Sequence, residues 1–205
     1  MKKAILISIH PQWVEKILND IKKDEIRKGT AIGKAINRLI KEQGVAPMLI
    51  YCTKNGAGLV YDVQGKGLVN QNLFPYAKRC PEHHRLLNGK VVARFNASAE
   101  HIEYETCSRD ISGWWKDNGK MYNHKDACLT YKEMFDYIGA GEGTVIHIND
   151  LEIFDKPKEL SEFKHTIKKH YYNADFDYGG VEEITLPLTR APQSWQFIEF
   201  YESIV

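Results

Sequence analysis

Apolar and polar positions alternate with several rhythms along the chain, and each rhythm predicts an element. Ala4 to Ile9, AILISI, is an apolar run broken only by a serine, the pattern of a strand buried on both faces. His10-Pro11 ends it, and Pro11 suits the first turn of a helix because its φ is already helical. That helix runs to about Asn19 or Asp20, with Val14, Ile17, Leu18 and Ile21 on one face. A charged strand follows. From Lys22 to Lys28, KKDEIRK, only Ile26 is apolar. Period-two geometry puts Lys23, Glu25 and Arg27 on one face and Asp24, Ile26 and Lys28 on the other. Such a strand is either an edge that charge protects against aggregation or the wall of a polar cleft. For Lys22 to share a cleft with Glu25 and Arg27, it must sit in the turn before the strand.

Further on, Thr30 is placed to cap a second helix whose stripe is Ile32, Ala35, Ile36, Leu39 and Ile40, and Gly44 closes it. Pro47 to Thr53 reads as a buried strand. Residues 54 to 72 are glycine-rich and predict a hairpin with a mobile tip, followed by loop from Phe74 to Asn88. Gly89 to Asn96 is the next strand, and Ala99 to Thr106 continues the sheet. Cys107 to Asp126 reads as a polar loop carrying Trp114 and Trp115. Thr130 and Glu133 form a T-x-x-E capping box for a helix over Tyr131 to Ile138 that stops at Gly139. Gly143 to Ile148 is a strand that Leu151 to Phe154 extends or follows, and Pro157 to Phe163 is a polar connection. His165 to Gly180 is expected as a loop or short helix, and Gln196 to Tyr201 as the last strand. Short strands with few helices predict an α+β unit, a small β barrel flanked by helices, spanning residues 1–205.

Composition narrows the function. Lys and Arg number 28 against 27 acids, so there is no basic footprint for tracking along duplex nucleic acid. No apolar run approaches the ~20 residues of a spanning helix. The N-terminal run ends too early for a signal peptide, so a cytoplasmic protein with no membrane partner is expected. Neither a dinucleotide nor a P-loop glycine pattern occurs. The four cysteines are irregularly spaced and are expected reduced. Cys80 with His83, and His124 with Cys128, have ligand-like spacing to which Cys107 can be added. Neither half has the paired C-x-x-C form, so no cofactor is expected.

Four separated stretches, in order, resemble ASCH-type domains of the PUA-like superfamily, in their larger, often phage-borne form. They are ILISIHPQWVEKILNDIKKDEIRK, then IYCTKNGAG with GKVVARFN, then GTVIHINDLEIFDKPKELSEFK, and finally LTRAPQSWQFIE. Outside the resemblance lie insertions near 54–88, 108–128 and 165–185. The resemblance implies a partly open β barrel of roughly five to six strands with a cleft beside it. It also implies RNA binding at modified or unpaired nucleotides. One small member of the family deacetylates N4-acetylcytidine with a Lys, a Thr and a Glu. Its lysine falls on Lys22, its threonine on Glu25 and the motif glycine on Asp20. Glu25 has no hydroxyl, which disfavours acyl transfer. Glu100, Glu103 and Glu105 are the candidates for the third residue.

Lys22, Glu25 and Arg27 are therefore the expected cleft residues. Lys22 suits a phosphate or base carbonyl, Glu25 an exocyclic amine, and Arg27 a phosphate or the Glu25 carboxylate. Tyr51, Trp114, Trp115 and Trp195 are candidate stacking surfaces, and Gln193 and Ser194 are expected to face the cleft. His10 and His147 are read as structural. Three function classes follow. The first is a module binding RNA or a modified nucleoside. The second is a nucleoside-directed hydrolase with Lys22 and Glu25 as its catalytic pair, either an amidohydrolase of N4-acylated cytidine or a ribonuclease. The third is a phage accessory protein that binds a host protein through the insertions.

Overall fold

A computed structural model describes residues 2–56, 58–62, 64–65, 67–69, 84–106, 113–117, 120–173 and 178–200. Strand β1 (Lys2–Ile9) pairs with a strand on each edge and is apolar on both faces because each face packs into a core. Helix α1 (Pro11–Leu18) starts on Pro11 and buries Pro11, Val14 and Ile17. It ends at Asn19, and Asp20 turns the chain with φ 58°. Strand β2 (Asp24–Lys28) follows, then α2 (Ala31–Gln43). Gly44, at φ 80°, terminates α2 as expected, whereas Thr30 stands at its N-cap without a side-chain capping bond. Ile32, Ala35, Ile36 and Leu39 are buried, and Ile40 lies at the margin of the stripe.

Strand β3 (Pro47–Cys52) pairs in parallel with β1. A small separate sheet comprises β4 (Val60–Asp62), β5 (Gly67–Val69) and β6 (His84–Leu86). The expected hairpin over 54–72 is β4–β5, and β6 falls where only loop was expected.

Two long strands carry the main sheet around. The first, β7 (Val91–Thr106), joins what read as two strands. The other, β10 (Glu142–Lys158), likewise joins Gly143–Ile148 to Leu151–Phe154. Their ladder slips between Asn149 and Glu152, where Asp150 adopts φ 52°, a bulge that bends the strand without ending it. The stretch expected as polar loop contains β8 (Gly113–Asp117), paired with the far half of β7, and β9 (Lys120–Met121).

Helix α3 (Tyr131–Ile138) has the capping box read from sequence. Thr130 Oγ1 accepts from the Glu133 amide at 3.2 Å, and the Glu133 carboxylate accepts from the Thr130 amide at 2.7 Å. A 3₁₀ turn at Leu160–Glu162 precedes β11 (Lys164–Asn173) and β12 (Tyr178–Pro187). These two form a hairpin where a loop or short helix was expected. Its lysines and histidines mask the alternation. What holds it is the ladder with cross-strand pairs such as Lys168–Glu183 at 3.4 Å and Thr166–Thr185 at 2.9 Å. Strand β13 (Trp195–Phe200) closes on β1.

The main sheet has ten strands in the order β12-β11-β13-β1-β3-β7-β10-β2, with β8 and β9 continuing from β7. This is an α+β fold with more strands than expected, and its backbone hydrogen bonding does not close into a ring among the described residues. Alternate residues of β1 feed two cores. Ile5, Ile7 and Ile9 pack with α1 and α2, while Ala4 and Leu6 pack with Tyr51, Phe163 and Ile198. A third core, Ile26, Ile102, Tyr122, Met134, Ile138 and Val145, anchors β2 beneath α3. Among the described residues no helix is long and apolar enough to cross a membrane.

Candidate functional site

The charged strand β2 ends the sheet, with β10 as its one strand neighbour among the described residues. Its other side is spanned by side chains instead of a ladder. Arg27 Nη2 donates to the Ser8 carbonyl at the end of β1 at 2.7 Å, and Nη1 lies 3.4 Å from Ser194 Oγ before β13. Ser8 Oγ in turn donates to the Pro192 carbonyl at 2.7 Å. Strand β2 thus lies at the end of the sheet, and its side chains face an opening toward β1.

Lys22 does sit in the connection before β2, so alternation within the strand does not bind it. Its ammonium donates to the Ala127 carbonyl at 2.7 Å and lies 3.4 Å from Glu25 Oε2. Glu25 Oε1 is 3.1 Å from Arg27 Nη2. A carboxylate is thus held between two cations, all three nearly buried. Each charge loses water on burial, and the neighbouring opposite charge and carbonyls offset that loss. Arg27 Nε is buried without a hydrogen-bond partner.

The trio opens onto a cavity of about 480 Å³. Its β2 wall is Glu25, Ile26 and Arg27 with Lys22 from the connection before it, and the ends of the parallel strands β1 and β3 contribute Ser8, His10 and Thr53. Gln193 and Ser194 form a third side, as expected, and Trp13 and Tyr137 supply aromatic surface. The Lys22 ammonium lies 5.3 Å from the centre of the Trp13 ring, and Lys16 lies 4.8 Å from it. The acid at the margin is Glu133, whose carboxyl is held below the usual range by the Thr130 amide and hydroxyl. His10, read as structural, lines the cavity with Nδ1 3.3 Å from Thr53 Oγ1.

Other candidates lie elsewhere. Tyr51 is buried in the core on the opposite face of β1 and β3, which raises its phenol pKa. Trp195 packs edge-on against Phe197, ring centres 5.8 Å apart, at the margin of the first core. The backbone of Trp114 and Trp115 runs in β8 opposite Glu105 and Tyr104, and their side chains lie outside the described residues. So does the side chain of Glu105. Glu100 and Glu103 are not among the residues that line the cavity. Of the zinc candidates, Cys80, His83 and Cys107 lie outside the described residues. His124 packs on Tyr131, and Cys128 Sγ is 3.5 Å from the Ile21 carbonyl. The aromatics that sequence reasoning missed are Tyr137, on α3, and Trp13, on α1. Trp13 stands one position before Val14, off the buried stripe of α1, and that offset was the available signal.

Behind β2 lies a second polar group. Asp24, buried, accepts from Tyr122 Oη at 2.7 Å and lies 2.7 Å from His147 Nδ1, while His147 Nε2 is 3.4 Å from Glu100 Oε2. The hydrogen bond to Asp24 raises the His147 pKa against the opposing effect of burial. Burial, and then Asp24, push the Tyr122 phenol up. The amides of Lys23 and Asp24 both donate to the Asp126 carbonyl, at 2.8 and 3.0 Å. The strand that carries the site is thereby fastened to its surroundings.

No protein-family model matches the chain, and no curated protein matches it in sequence.

Proposed function

We propose that the chain is an ASCH-type, PUA-like module that binds an unpaired base of RNA, modified or plain, in the cleft beside β2. On this reading the curled, open sheet is the partly open barrel of that family, and the gap between β2 and β1 is its binding cleft. One observation carries the proposal: Lys22, Glu25 and Arg27, picked out by the motif, converge on one cavity walled by an indole. About 480 Å³ lies within the ordinary range for small-molecule sites. Trp13 offers a stacking face, and the cations donate to base carbonyls. The carboxylate retains lone pairs for an exocyclic amine.

A hydrolase acting on the same ligand is the second reading, and Thr53 favours it. Its hydroxyl, beside His10 Nδ1 at 3.3 Å, supplies within the cavity the group that Glu25 lacks. Lys22 is a poor candidate for a free amine, because its ammonium is committed to Ala127 and Glu25.

Trp13→Ala is expected to weaken binding of nucleosides and short single-stranded RNA about tenfold or more, since stacking contributes ~1–3 kcal/mol per base. Calorimetric titration against a panel of plain and modified nucleosides measures this. Unchanged affinity in the variant would remove Trp13 from the site, and absence of binding by the whole panel would remove the function. Turnover of N4-acylated cytidine or RNA that disappears in Thr53→Val would establish the hydrolase instead.

A further inference from the structure

Beside the base cavity lies a second one, of about 290 Å³, walled by the first turn of α1 and by the segment that leaves β3. His10 lines both cavities. Its ring is held toward the β3 side, with Nδ1 3.3 Å from Thr53 Oγ1, so it stands as a partition between them. On the far side of His10 the walls change character. Gln12 and Asn55 supply exposed carboxamides, Glu15 a carboxylate, and Pro11 and Leu59 an apolar floor. Gly56, at φ 105°, brings the segment over the helix, close enough that a β-carbon there would meet the Pro11 ring at 3.6 Å.

The donor set selects the occupant. Among the described residues no lysine or arginine lines this second cavity, and Glu15 repels anions, so a phosphate is disfavoured. Carboxamides and a carboxylate over an apolar floor suit a neutral, flat, hydrogen-bonding group. The partition itself is an imidazole, which can donate to a phosphodiester passing across it.

We infer that the cleft holds two adjacent nucleosides of one single strand: the first base on Trp13, and its neighbour on Gln12, Asn55 and Glu15. The linking phosphodiester crosses at His10. This rests on the reading of the larger cavity as a base site, and it makes the ligand a strand instead of a free nucleoside.

The test uses the full chain and four probe series: nucleosides, their monophosphates, the homodinucleoside monophosphates ApA, CpC, GpG and UpU, and the matched deoxy forms of each. For at least one base, the dinucleoside monophosphate is expected to bind about tenfold or more tighter than the mononucleotide. The double variant Gln12→Ala/Asn55→Ala is expected to abolish that gain while leaving mononucleotide affinity unchanged. Both side chains are exposed, so the variant retains the fold. Equal affinity for mono- and dinucleotide forms overturns the second subsite and leaves the base site standing, as does a gain that survives the double variant. A gain confined to the deoxy series also overturns it, since the strand proposed is RNA. Absence of binding by every probe overturns both.

Discussion

Glu25→Ala is expected to lower stability by about 3–5 kcal/mol, the cost of breaking a buried ion pair by removing one partner. Among the described residues Glu25 is the one anion between Lys22 and Arg27, 3.4 and 3.1 Å away, and its removal leaves two largely buried like charges without their shared counterion. Neither cation can readily leave. Lys22 is tied to the Ala127 carbonyl, and Arg27 to Ser8. Urea denaturation of the variant measures the loss. Glu25→Gln, which keeps the shape and removes the charge, should fall between variant and parent. A loss under about 1 kcal/mol would mean that water, not Glu25, screens the two cations, and the cleft would then be far wetter than its burial implies.

Asp24→Asn should be the next most damaging change, at about 2–3 kcal/mol below neutral pH, because a hydrogen bond to a charged group is lost from a buried site. The effect should depend on pH, and its sign follows from His147. Folding raises the His147 pKa above its ordinary value of 6.5, chiefly through Asp24. The imidazolium's contribution is therefore complete below pH 6.5 and is lost as the pH rises through the higher folded value. Melting temperatures of the parent, Asp24→Asn and His147→Gln across about pH 5.5 to 9 should converge toward the alkaline end. If the gap is constant across that range, His147 does not change its protonation there, and the pH-dependent part of the prediction fails.

Much of this molecule is written in local signals. Pro11 starts α1, Gly44 ends α2 and the Thr130–Glu133 box starts α3, each through a backbone requirement met within a few residues. Lys22, Glu25 and Arg27, taken from the motif, and Gln193 and Ser194, taken from the stretch before Trp195, line one cavity. What escaped depends on distant partners. The partner that fixes Lys22 is the carbonyl of Ala127, 105 residues away, and nothing near Lys22 announces it. Tyr51 was a stacking candidate by residue type alone, on a strand read as buried, and it packs in the core because β3 is buried on both faces. The β11–β12 hairpin buries little apolar surface, so hydropathy gave no trace of it, and its ladder is visible only once register is known. The two readings of β2 looked exclusive because pattern distinguishes edge from interior, not an edge beside a gap from an edge beside water.

The junction that closes this gap also has a temporal meaning. Ser8 bonds to Pro192 across 184 positions, and Arg27 reaches Ser194 across 167. Contacts so distant form late, after the entropy of closing a long loop has been met. A chain still emerging from the ribosome can assemble β1, β3, β7 and β10 while lacking the far wall of the cleft. Until β13 arrives, the apolar strand β1 keeps one edge open to other chains. Its arrival covers that edge and completes the wall of the cleft in a single event. On the proposed function, ligand capture should therefore report that the full sheet has been made, and chains truncated before β13 should associate through β1 instead.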